Sequence, residues 1–213
     1  MDKNIRSIKE KRIENVIKNL EKNNMRGYYV KDNVELMEVV KEIVSEGDTI
    51  GFGGSMTLFE TGMMDFLRQG NYNLLDRYVE GLSPLDIKEL YRKAFSANVY
   101  LTSTNALTEA GELFNVDGNG NRVAAMIWGP DKVIVICGTN KIVKDEAAAV
   151  ERNKRIAAPA NATRLSTNTP CKKLGYCVDC NSPERICCSY VTIKKQRVQD
   201  RIHVVIVDGE YGY

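Results

Sequence analysis

The sequence predicts an α/β fold in which a mostly parallel sheet is flanked by helices. Short runs of strand composition alternate along the chain with segments of helical periodicity, the pattern of strands joined by crossover helices of one hand. The run Val133-Ile-Val-Ile-Cys137 is apolar throughout, as suits a strand covered on both faces. Thr49-Ile-Gly-Phe52 passes through Gly53-Gly54-Ser55 into the helical spacing of Leu58, Met63, Phe66 and Leu67, so strand, glycine turn and helix follow one another directly.

Taken in order, Ile5, Ile8, Ile13, Val16, Ile17 and Leu20 recur every three or four residues among lysines and glutamates and predict an amphipathic helix over 1–24. Gly27 to Val30 reads as a strand. Asn33 is expected to cap a helix over 34–44, with Leu36, Val39, Val40 and Ile43 inward and Gly47 marking its end. Further strands are predicted at 72–75 and 98–101, with a helix over 84–95 between them. The segment from Glu109 to Asp117 reads as a strand that meets the turn Gly118-Asn-Gly-Asn121 and a short helix over 123–127. A helix over 145–156 precedes a polar, turn-rich stretch that continues to Pro170, and Arg201 to Asp208 contains a final strand. No internal repeat is present. The length suits one domain over 1–213, with the cysteine-rich segment 168–190 inside it.

Thirty basic against 28 acidic residues give a formal charge of +2, too small a field to gather nucleic acid or an anionic membrane. There is no long apolar span, and the N-terminal sequence lacks the apolar stretch of a signal peptide, so a cytoplasmic protein is expected. The single histidine, His203, rules out sites that need two histidines and sits in a strand-like run, where a hydrogen-bonded structural role is expected.

The segment Gly51 to Thr57 places small residues between a strand and a helix. Backbone N–H groups there could hold a phosphate or carboxylate, or the glycines could serve close packing alone. It is neither a Walker loop nor a dinucleotide fingerprint. Glu109, at an expected strand end, is the candidate acid or base, whereas Asp117 to Asn121 reads as a turn.

Six cysteines are too few for a disulfide scaffold, and most sit in Cys171-x5-Cys177-x2-Cys180-x6-Cys187, with Cys188 adjacent. Four thiolates from one loop suit a tetrahedral zinc or an iron–sulfur cluster, although the spacing matches neither familiar ferredoxin run. Thiol redox chemistry and reduced structural cysteines are the alternatives. Cys137, at the end of an apolar strand, is expected in the core.

Gly53-Gly-Ser-Met-Thr57, Glu109-Ala-Gly-Glu112, the block from Gly129 to Val143 and the run from Cys177 to Cys187 together resemble the lactate-utilisation (LUD) domain family, in particular its short single-domain members. The resemblance implies a sheet related to CoA-transferase and ribose-phosphate-isomerase-like folds. It also implies a crevice at the strand ends faced by Gly53, Gly54, Ser55, Thr57 and Glu109, and it points to Cys187 as the fourth metal ligand. By the same resemblance the chain is expected to be a component of lactate or organic-acid oxidation. It would bind a small anionic metabolite, work with redox protein subunits and form a homo-oligomer. The alternatives are a transferase or isomerase of a phosphorylated or CoA-linked molecule, and a non-catalytic assembly subunit with structural zinc.

Overall fold

The computed structural model describes residues 2–213. Its main sheet has six strands, all parallel, in the order β1-β10-β7-β4-β2-β3. These are β1 (Arg26–Val30), β2 (Thr49–Phe52), β3 (Asn73–Leu74), β4 (Val99–Thr102), β7 (Lys132–Gly138) and β10 (Ile202–Val207). A second, mixed sheet runs β8-β5-β6-β9, from β5 (Ala106–Thr108), β6 (Leu113–Asp117), β8 (Ile142–Val143) and β9 (Ser189–Ile193).

The apolar run of β7 divides between two cores. Val133, Val135 and Cys137 face one side with α1 (Lys3–Lys22), through Ile13, Val16 and Leu20. Ile134 and Ile136 face the other side with α2 (Asn33–Ile43) and α4 (Met63–Gln69), through Leu36, Val40, Met64 and Leu67. Period-two side-chain direction means that a strand covered on both faces must be apolar at every position. His203 is part-buried, with Nδ1 3.1 Å from the Tyr28 hydroxyl, and burial lowers its pKa. Cys137 is buried, and desolvation raises its thiol pKa to about 12.

The boundaries expected from sequence shift for local reasons. Asp32, not Asn33, caps α2, because its carboxylate accepts from the N–H groups of Val34 and Glu35. The helix after the glycine turn is two pieces, α3 (Met56–Glu60) and α4, broken at Gly62 with φ +74°. α5 (Pro84–Lys93) starts at a Ser83/Asp86 capping box. α6 (Asn121–Ile127) follows the predicted turn.

The largest departure lies after α7 (Glu146–Arg152). A π-turn over Asn153–Ala157 leads into α8 (Ala158–Arg164), where a turn-rich loop was expected. Pro159 falls in the first turn after the π segment, where a missing N–H is tolerated, so it does not end the helix. α9 (Pro170–Leu174) opens the cysteine segment. Among the described residues no helix is long and apolar enough to cross a membrane.

Candidate functional site

The loops after β2, β4 and β7 and the segment after β10 meet at the carboxyl ends of the parallel strands, where open α/β sheets place their ligands. They form an open cleft of about 90 Å3, lined by Gly54, Ser55, Ser103, Lys141, Arg164 and Tyr213 among others. It continues outward into a groove of about 560 Å3 that shares Gly54, Asp117, Arg122 and Arg164 and adds Arg77 and Arg185.

Lys141, one turn beyond β7, is 2% exposed. Its Nζ donates to Thr57 Oγ1 and Ser103 Oγ, each at 3.0 Å, and it forms no ion pair among the described residues. Burial is the main cause that lowers its pKa to about 7, and the neighbouring Arg152 and Arg122 push the same way.

Arg122 is also buried, but every donor is used. Nε pairs with Asp117 at 3.4 Å, Nη1 donates to Ser103 O and Asn115 Oδ1, and Nη2 to Asn105 Oδ1 and Val116 O. This arginine ties the loop after β4 to β6 and consumes Asp117, the only acidic side chain lining cleft and groove.

Three other guanidiniums have no carboxylate partner among the described residues. Arg77 donates to the hydroxyls of Tyr91 and Tyr78 and lies over both rings, and its buried Nε has no partner. Arg164 donates to Asn161 Oδ1, and its charge lies close enough to the Tyr213 hydroxyl to act on it. Arg185 donates to the carbonyls of Cys187 and Cys180. The buried hydroxyl of Tyr213 is likewise unpartnered.

The glycine turn has its physical reason here. A Cβ on Gly53 would press on Thr102 Oγ1 and Arg122 Cδ, at 2.9 and 3.0 Å, and a Cβ on Gly54 would overlap Nη2 of Arg77. Gly53 makes room for the aliphatic stem of Arg122 and Gly54 for the guanidinium of Arg77. Ser55 lines the cleft without a capping hydrogen bond, whereas Thr57 is fully buried and engaged with Lys141.

Glu109 does not join this group, contrary to the expected shared crevice. It follows β5 on the α1 side, where Arg12 grips its carboxylate at 2.6 and 2.9 Å, and it lines neither cleft nor groove. Lys141 lies within the block from Gly129 to Val143, but local pattern does not mark it as a cleft residue. Its one sequence signal is a cation in the turn that follows a central apolar strand.

Residues 13–207 match the LUD domain family, a span that covers most of the chain. The chain belongs to the LUD domain family. A DUF162-family protein of solved structure from Deinococcus radiodurans is similar to it at 13% identity, over 96% of this chain and 98% of its own, with a TM-score of 0.47. eIF2B delta from Chaetomium thermophilum is 21% identical over 56% of this chain and 50% of its own, with a TM-score of 0.37. No curated protein matches the sequence.

In this LUD-domain chain Cys171, Cys177, Cys180 and Cys187 line one small cavity with Thr169, Val178, Arg185 and Ile186. Cys188 lies outside it, exposed on the groove, with Sγ 3.3 Å from Arg185 O. All six cysteines are free thiols. Burial raises the Cys187 thiol to about 11, and Cys177, Cys171 and Cys180 add to the shift. As placed, no three His, Cys, Asp or Glu side chains among the described residues stand in metal-ligand geometry. Four soft sulfur donors around one cavity nevertheless fit a zinc ion or an iron–sulfur cluster chemically.

Proposed function

We propose that this LUD-domain protein binds a small organic anion in the cleft at the strand ends and serves as a component of organic-acid oxidation. The observation that carries the reading is the charge balance of cleft and groove. Arg77, Arg164 and Arg185 reach them without carboxylate partners, while Asp117 is held by Arg122. Three cations without carboxylate partners, Arg77 and Arg185 partly buried and Arg164 exposed, favour an anionic ligand, because it supplies the counter-charge and the acceptors. The resemblance to lactate-utilisation proteins makes a hydroxy or oxo acid the first ligand to test.

In the same reading Cys171, Cys177, Cys180 and Cys187 hold a zinc ion or an iron–sulfur cluster. A cluster would supply one-electron transfer toward companion redox subunits, and zinc a structural cross-link. Arg185 and Ile186 separate the thiol cavity from the groove and line both, so a group bound by the thiols would set the position of a groove guanidinium.

One observation favours a second reading. The groove runs past Arg77 to Arg185 and is larger than the inner cleft, which suits an elongated phosphorylated or CoA-linked molecule for a transferase or isomerase. Calorimetric titration with lactate, pyruvate, a phosphorylated sugar and a CoA ester separates the readings. Binding of the small acids alone supports the first, and binding of only the larger anions supports the second. No binding by any of them would overturn the anion-receptor reading.

A further inference from the structure

The anion-receptor reading leaves unused the most reactive group of the cleft. We propose that Lys141 is a nucleophile that forms a reversible imine with the carbonyl carbon of an anionic ketone, of the 2-oxo acid class. The proposal rests on the anion-receptor reading and deepens it.

The hydrogen bonds around Nζ set its chemistry. Thr57 Oγ1 donates to Tyr211 O at 3.1 Å, so its proton is turned to a backbone carbonyl, and the Ser103 hydroxyl faces Thr104 O in a longer contact of 3.4 Å. Each hydroxyl therefore meets Nζ as an acceptor. A neutral amine has two N–H bonds to give and one lone pair. With both N–H groups donated, the lone pair is the direction left free, and Lys141 is among the residues that line the cleft.

Burial removes the usual obstacle to such a reaction, which is protonation. Of the charged and titratable groups around the amine, Arg152 and Arg122 favour its neutral form, and Cys137 and Glu60 oppose it less than desolvation acts. The amine is thus populated near neutral pH, unlike that of an exposed lysine.

The reaction balances without an oxidant or a reductant. The lone pair attacks the carbonyl carbon and a carbinolamine forms. Loss of its oxygen as water, carrying both former amine protons, leaves the C=N bond. Tyr213, whose buried hydroxyl has no partner, lines the same cleft and can donate to the departing oxygen. Arg164, on the same wall and free of any carboxylate, suits the acid group of the substrate.

The test is reduction of the wild-type protein with cyanoborohydride in the presence of pyruvate at neutral pH, followed by peptide mass spectrometry. Calorimetric titrations with pyruvate and with lactate, which has the carboxylate but no carbonyl, run in parallel. The expected result is one reduced pyruvate adduct, located on Lys141, at least tenfold above any exposed lysine. An adduct spread over exposed lysines, or none while pyruvate still binds, overturns the imine and leaves the anion receptor standing. If neither acid binds and no adduct forms, both fall for this class of ligand.

Discussion

The guanidinium of Arg77 occupies the space that a side chain on Gly54 would need. The glycine therefore permits a cation to lie against the turn after β2, and the turn itself contributes little dipole, because the α3 helix that follows has only five residues. Arg77 is held there by hydroxyls and aromatic faces, which leave its charge available to the groove.

Gly54→Ala is expected to displace Arg77 and to weaken anion binding by about tenfold or more, in line with the loss of a charge-assisted bond. Stability should fall by only about 1 kcal/mol, as for a typical substitution that repacks a partly exposed side chain. Gly53→Ala presses on buried Arg122 instead, so its larger effect should be on thermal stability. Titration calorimetry with melting curves on both variants checks the contrast, and equal loss of binding and stability in Gly54→Ala would count against it.

Glu109→Gln removes an exposed ion pair with Arg12, outside the residues that line cleft and groove. The expected cost is under about 1 kcal/mol, with ligand affinity unchanged. A loss of affinity beyond threefold would return Glu109 to the site.

The Lys141 amine has a folded-state pKa of about 7 against 10.5 for the ordinary side chain. Between these values the unfolded chain binds a proton that the folded chain does not, so the lysine destabilises the fold at neutral pH. That penalty shrinks as pH rises toward 10.5, by roughly 1.4 kcal/mol per unit at most. Below pH 7 both states are protonated and the contribution is flat. Urea unfolding of wild type and Lys141→Met from pH 6 to 10 should show wild type gaining on the variant above pH 7. Parallel pH profiles would mean that the lysine is charged in the fold.

Anaerobic protein with Cys177→Ser or Cys180→Ser should lose most of its bound iron or zinc, whereas Cys188→Ser should retain it, because Cys188 lies outside the thiol cavity. Elemental analysis decides the point. Metal retention by the first two variants, or an absence of metal in wild type, would leave these as ordinary thiols.

The sheet was legible from local pattern. Strands such as Thr49–Phe52 and the apolar run within Lys132–Gly138 carry their own signature, since burial on both faces forbids polar positions. The second sheet was harder to read. β9 is half-exposed, and its pairing with β6 joins residues more than seventy positions apart. α8 was hidden because Pro159 reads as a breaker until a π-turn precedes it.

The sequence by itself determined the α/β class, the glycine turn, the cysteine group and the family. Each rests on residues close together in the chain, where periodicity and spacing act directly. Only the tertiary structure decided what the turn is for, which cation is buried and which carboxylate is left out. Lys141 meets Ser103 and Thr57 across 38 and 84 positions, and Glu109 is drawn to Arg12 across 97. Burial, and with it the protonation state of a lysine, depends on such long-range packing, which no local window of sequence encodes.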